Sequence, residues 1–237
     1  MALFELDRDE TVAIIKMTGG KNTQNTDFMV SFSEMLDKAI GDESVTAIVL
    51  TATDEKSWSQ GLDLDWLAKC ISQKRFEEIE AFMIGMDRIF TTLLTCPVPV
   101  IASITGHSFA NGAVLASYCD FRFMRTDRGF FCFPEVDIDI QFTPGMVALF
   151  RHKYPGPFVN EMLLTGKRVT APELEKLKVI NKACTDSEET LKESIAFAKT
   201  QVKNRATLAE MKRKLNLPVL NVMENDNPGY FKVQFKG

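Results

Sequence analysis

Residues Ile104–Glu135 read ITGHSFANGAVLASYCDFRFMRTDRGFFCFPE. The stretch begins as an apolar, strand-like run ends, Val98–Ser103 (VPVIAS). A loop of small residues follows, Gly106-His107-Ser108-Phe109-Ala110-Asn111-Gly112, and then an apolar helix is expected over Ala113 to Tyr118. Strand, small-residue turn and buried helix leave backbone N–H groups free at a helix N-terminus, where they can hold an anion or a developing oxyanion. Further on, Glu135 follows Pro134 between the apolar runs Phe130–Phe133 and Val136. A lone acid so placed is either a cap or a base, and that choice decides the function.

Upstream, Leu3–Leu6 and Val12–Met17 are β-type runs joined by Asp7-Arg8-Asp9-Glu10, an opening hairpin, followed by a turn cluster at Thr18–Asn22. From Thr26 apolar residues recur at helical spacing (Phe28, Phe32, Met35, Leu36, Ala39, Ile40), with Thr26 or Asp27 as N-cap. Thr46–Ala52 is a buried-type strand, so strand, helix and strand form a parallel crossover. In the next loop Gly61 suits a tight backbone position and Asp63 can cap a short helix through Ala68; local features alone describe an ordinary βα loop. Ser72–Thr95 reads as one long amphipathic helix, its Met- and Phe-rich face being core or, in part, the lining of an acyl tunnel.

Downstream, strands are expected at Asp120–Met124 and Gly129–Phe133, and helices at Met146–Lys153, Phe158–Thr165 and Ala171–Lys176, the last capped by Thr170. A short strand or edge is expected at Val179-Ile180, helices at Asp186–Lys203 and Ala206–Lys214, and a turn-rich tail at Leu217–Gly237. The chain is therefore α/β for its first two thirds and helical thereafter. The expected division is a core over 1–190 and a C-terminal region over 191–237 that packs on the core or on a neighbouring subunit.

The 237 residues suffice for one large domain or one domain with a small appendage. A formal charge of −4 argues against nucleic acid or an anionic membrane as the main partner, while leaving room for a local basic pocket. No stretch approaches the ~20 apolar residues of a membrane span. No signal peptide and no peroxisomal C-terminal tripeptide is read, so a cytoplasmic location is expected. The five cysteines are scattered without metal-ligand spacing and read as reduced, mostly buried thiols. With only two histidines, His107 and His152, neither a His-rich metal site nor a triad is expected.

Three motifs in order resemble the crotonase superfamily, the enoyl-CoA hydratase and isomerase family: Ser59-Gln60-Gly61-Leu62-Asp63, then Gly106–Gly112 running on to Cys119-Asp120, then Phe131-Cys132-Phe133-Pro134-Glu135. The run Thr105-Gly106-His107 through Met124–Phe130 also looks like the monofunctional 3-enoyl-CoA isomerases of plant peroxisomes. The resemblance implies a ClpP/crotonase-like spiral of ββα units with two near-perpendicular sheets, C-terminal helices that assemble a homotrimer or hexamer, and an acyl-CoA thioester substrate. It implies no cofactor, CoA being part of the substrate. The backbone N–H groups of Leu62 and Asn111 would form the oxyanion hole, with substrate contacts at Gly61, Asp63 and Gly112.

Hydratases of that family use two glutamates, one on the helix after the small-residue loop and one at Pro-Glu. Here the first position is Val114, and Glu135 stands alone at the second. Adding water needs one group to activate it and another to deliver a proton, whereas a single carboxylate suffices to move a double bond. The resemblance and this departure imply a 3-enoyl-CoA to trans-2-enoyl-CoA isomerase in unsaturated fatty-acid degradation, with Glu135 as a one-base shuttle whose pKa is raised by its apolar flanks. Another crotonase reaction (hydratase, hydrolase or decarboxylase) and a catalytically silent acyl-CoA-binding protein are the alternatives. Asp137 and Asp139 alternate with Glu135 and read as a solvated face, or Asp139 as an aid to proton handling. His107 reads as a packed loop residue or a substrate contact. Asn111 stands where relatives often have Gly, and its Cβ can narrow the pocket. Lys21, Lys56 and Arg128 are candidates for the CoA phosphates and are otherwise surface charges.

Overall fold

The computed structural model describes residues 2–233. The chain opens with β1 (Phe4–Asp9) and β2 (Val12–Met17), an antiparallel hairpin in which Phe4 faces Met17 and Asp9 faces Val12. A two-residue strand, β3 (Thr23–Gln24), leads into α1 (Thr26–Gly41). The N-cap of α1 is Asn25, not Thr26 or Asp27: its Oδ1 accepts the Phe28 N–H at 3.1 Å.

From here the chain winds in repeating turns, each giving one strand to a large sheet, one to a small sheet, and then helix. The first turn supplies β4 (Ala47–Ala52), β5 (Ser57–Ser59), the short β6 (Gly61–Leu62), α2 (Leu64–Ser72) and α3 (Phe76–Thr95). The second supplies β7 (Val100–Ile104), β8 (His107–Phe109) and α4 (Asn111–Tyr118). The third supplies β9 (Phe121–Arg125), β10 (Phe131–Cys132), a 3₁₀ turn at Glu135–Asp137 and α5 (Pro144–Lys153). The large sheet has the order β1-β2-β4-β7-β9-β11 and is parallel beyond the hairpin; the small one is β10-β8-β5; β3 pairs with β6. After α6 (Gly156–Thr165) and α7 (Ala171–Lys176), β11 (Lys182–Cys184) closes the large sheet beside β9. The helices α8 (Ser187–Lys199), α9 (Arg205–Leu215), α10 (Leu217–Asn225) and α11 (Asn227–Val233) complete the described chain.

Several elements differ from the sequence expectation. The helix expected over Ser72–Thr95 begins at Phe76, because the chain breaks after α2, where Lys74 sits at φ 56°. The strand expected at Val179-Ile180 lies three residues later, those two side chains being buried in the core instead. The turn-rich tail from Leu217 is two helices; its last residues, 234–237, with the chain-end tripeptide, lie outside the described residues. Most consequential, α4 begins at Asn111, two residues before the expected Ala113.

One face of the large sheet meets the main core, which includes Phe32 and Leu36 from α1, Phe82, Met86 and Phe90 from α3, and Val114 and Leu115 from α4. The other face carries Val12, Ile14, Ala47, Val49, Ile101 and Phe123, and is covered by α8 through Ala198 with Leu191, Ile195 and Phe197. The division expected between residues 190 and 191 falls within α8. The C-terminus of α4 is closed by two basic side chains: half-buried Lys153, whose Nζ donates to the carbonyls of Ser117 and Cys119, each at 2.9 Å, and buried Arg122, which donates to those of Ala116 and Cys119.

Candidate active site

The glycine of the Gly-x-Asp motif is where two loops meet. Gly61 has φ +79°, and a Cβ there would stand 2.6 Å from the backbone nitrogen of Asn111 and 2.7 Å from the carbonyl oxygen of Phe109. Only a residue without a side chain allows this approach. Leu62, the next residue, is thereby brought beside the first turn of α4, where Asn111 opens the helix and its N–H has no intrahelical partner. Gly112 serves the same approach from the other side, since any Cβ on it would collide with the Ser59 carbonyl. Ala110, just before the helix, is held at φ 50°, ψ −131°, and its N–H donates to the carbonyl of Cys132 at 3.0 Å.

Asp63 caps α2: its Oδ1 accepts the Trp66 N–H at 3.0 Å, and its Oδ2 accepts from Asn25 Nδ2 at 3.1 Å. Between β3 and α4 lies a buried amide network absent from the sequence reading. Gln24 Oε1 accepts from Asn111 Nδ2 at 2.6 Å, and Gln24 Nε2 donates to Ser59 Oγ at 3.3 Å and to the Asn111 carbonyl at 3.4 Å. No local pattern in Thr23-Gln24-Asn25 signals this, because the partners are far apart in sequence.

The small sheet ties the strand that precedes Glu135 to the loop before α4. Phe131 pairs with Ser108 and Cys132 with Phe109, so Cys132 is tied to the loop that ends at Asn111. Glu135 follows Cys132 by three residues, which bounds their Cα separation at about 11 Å. Its side chain is buried, at 5% exposure, and Oε2 has no hydrogen-bond partner. Burial pushes its carboxyl up from 4.5 to about 8, partly offset by a backbone hydrogen bond. It is the only buried Asp or Glu among the described residues. The alternation read through Asp137 and Asp139 does not hold: Glu135–Asp137 is a 3₁₀ turn, Asp139 sits at φ 56°, and both aspartates are exposed. They belong to the solvated face.

Val114 lies on α4 at 1% exposure, within the main core. His107 packs between Phe109 and Phe130, and its Nδ1 accepts the Phe130 N–H at 3.2 Å. Burial holds its pKa down, helped by the positive charges of Lys56, Arg168 and Arg128. Lys56 and Arg128 thus share a neighbourhood with Arg168, whose guanidinium lies over the Phe109 ring; Lys21 is not in that group. Half-buried Leu62, Trp66, Met83, Phe142 and Met146 line the edge of the core and offer an apolar wall.

The sequence model for the enoyl-CoA hydratase/isomerase family matches residues 7–227. The chain belongs to the enoyl-CoA hydratase/isomerase family. This family member is 30% identical over 191 residues to enoyl-CoA delta isomerase 2, peroxisomal, of Arabidopsis thaliana, covering 78% of each chain. It is also 27% identical over 189 residues to a short-chain-enoyl-CoA hydratase of Clostridium acetobutylicum, covering 77% of this chain and 69% of that one. Its fold superposes on an enoyl-CoA isomerase of Mycobacterium tuberculosis with a TM-score of 0.87 at 20% identity, covering 98% of this chain and 99% of the other. An enoyl-CoA hydratase of Mycobacterium marinum gives the same TM-score at 19% identity over the same shares. The architecture is the α/β crotonase fold, and family membership makes the chain a crotonase-type acyl-CoA enzyme. Isomerase and hydratase relatives are similarly distant, so the reaction has to be argued from side chains.

Proposed function

We propose that this protein moves the double bond of a 3-enoyl-CoA to give trans-2-enoyl-CoA, with Glu135 as the sole proton carrier. The Glu135 carboxylate takes a proton from C2, and the C–H electron pair passes into the thioester to form a dienolate. Its oxygen is held by the N–H groups of Leu62 and Asn111, a kind of preorganised contact worth about 3 kcal/mol per donor. The neutral acid then returns the proton to C4. The observation that carries this reading is the lone buried carboxyl of Glu135 with the apolar Val114 on α4, where a second glutamate would stand in a two-acid hydratase. Gly61, Asp63 and Gly112 keep the two loops in contact around the substrate, and Lys56 and Arg128 are candidates to meet the CoA phosphates.

The reading includes self-association as a trimer or hexamer, supported by exposed apolar side chains on α9 such as Met211 and Leu215. It includes action in the cytoplasm within unsaturated fatty-acid breakdown, to which the five free, buried cysteines are suited. Incubation with cis- and trans-3-enoyl-CoA of several chain lengths tests the reaction through the absorbance of the conjugated thioester. Appearance of that product, and its loss in Glu135→Gln, is the expected result. Hydration of trans-2-enoyl-CoA as the main activity, release of free CoA or carbon dioxide, or full activity in E135Q would overturn it. Binding of acyl-CoA with no turnover would favour the silent binding protein, which the missing second acid makes the second reading.

A further inference from the structure

The amide network around Gln24 touches both halves of the proposed oxyanion hole. Ser59 Oγ accepts the N–H of Gly61 at 3.2 Å, the residue just before Leu62, and donates to the Asn22 carbonyl at 2.8 Å. Its remaining acceptor site takes Gln24 Nε2. The other Nε2 proton goes to the Asn111 carbonyl, and Oε1 accepts from Asn111 Nδ2. A hydroxyl has one donor and two acceptor sites, and all three are used here; both amide protons of Gln24 are used as well. Gln24 and Ser59 are each fully buried, at 0% exposure.

We propose that Gln24 is a positioning residue that sets the distance between the two donors of the oxyanion hole. One end fixes the β6 side through Ser59 and Gly61, and the other fixes the first residue of α4 through Asn111. A buried network in which every site of Ser59 and both amide protons of Gln24 are used favours a single arrangement, because each broken contact strands a polar group away from water. The asparagine side chain at position 111, which a glycine would lack, becomes the handle by which α4 is gripped. Asn111 Nδ2 is held by Gln24, while its Oδ1 is buried with no partner in this network. The inference rests on the oxyanion-hole reading of Leu62 and Asn111, and its test separates the two.

The probe is a 3-ketoacyl-CoA, whose C2 proton is acidic and whose enolate absorbs in the near ultraviolet, so that enolate bound in the hole is seen without turnover. Wild-type protein is expected to develop the enolate band. Gln24→Met, which keeps the length and removes the amide, is expected to lower the enolate fraction and kcat by about tenfold or more, with KM and the affinity for a saturated acyl-CoA within about twofold. In an Asn111→Gly background the same change is expected to have a smaller effect, because the side chain it grips is already gone. Should Q24M fail to fold, N111G carries the test alone: it breaks the bridge at its other end, keeps the backbone N–H, and is expected to lose enolate likewise. A wild-type band unchanged in the folded variant, or a loss confined to ground-state affinity, overturns the role of Gln24 and leaves the hole intact. Absence of the band in wild-type protein overturns the hole itself, and this inference with it.

Discussion

Glu135 is neutral at pH 7 if its carboxyl titrates near 8, yet the reaction starts from the carboxylate. The pH profile of kcat/KM, which reports the free enzyme, is therefore expected to climb about tenfold per pH unit up to about 8 and then level off. The E135Q variant is expected to lose about 10²- to 10⁴-fold in kcat, the range for a positioned acid–base group. The same shift acts on stability. The folded-state pKa lies above the ordinary value of 4.5, so full stability is present below about pH 4.5 and declines as pH rises through 8. E135Q removes that decline. Urea unfolding at pH 5 and pH 8.5 is expected to show the variant gaining on wild type at the higher pH, by up to a few kcal/mol. The burial of Glu135 was legible in the apolar run before it, whose Phe131, Cys132 and Phe133 are buried, but not in Val136, the other flank, which is 48% exposed. The local geometry of Glu135 was not legible, because acids two residues apart look like a strand until the chain turns after Pro134.

At the scale of elements, the site depends on how closely β5 and β6 approach α4. Gly112→Ala is expected to destabilise by about 1–3 kcal/mol or to prevent folding, since the added methyl meets the Ser59 carbonyl, a backbone atom with little freedom to move. Denaturant melts of G112A against wild type measure this. Asp63→Ala removes the cap of α2 and the contact with Asn25, and a loss of about 1 kcal/mol is expected in the same experiment. The strands and most helices were legible from apolar spacing. The start of α4 was not: Asn111-Gly112 has the composition of a turn, and it enters the helix because β5 and Gly61 close over it. The break between α2 and α3 was expected after Ala68 and lies after Ser72, because Lys74, the residue in the left-handed region, is neither glycine nor proline. The Gln24 bridge was invisible for a similar reason, spanning 87 positions to Asn111.

At the scale of the whole molecule, α9 exposes Met211 at 64% and Leu215 at 65%, four residues apart on one face. Light scattering is expected to give a multiple, threefold or sixfold, of the 26.7 kDa chain. Met211→Glu with Leu215→Lys is expected to shift the protein towards the single-chain mass; a monomeric wild type would remove the trimer from the proposal. The order of the large sheet has a separate outcome for biogenesis. Beyond the hairpin, each of its strands pairs with one made earlier in synthesis, so the sheet can assemble strand by strand as the chain leaves the ribosome. The helix that shields its second face, α8, is not complete until residue 199 has been added. Until then Val12, Ile14, Val49, Ile101 and Phe123 form a bare greasy plane, a natural client surface for a chaperone, and nascent chains stalled short of α8 should precipitate where the finished one does not.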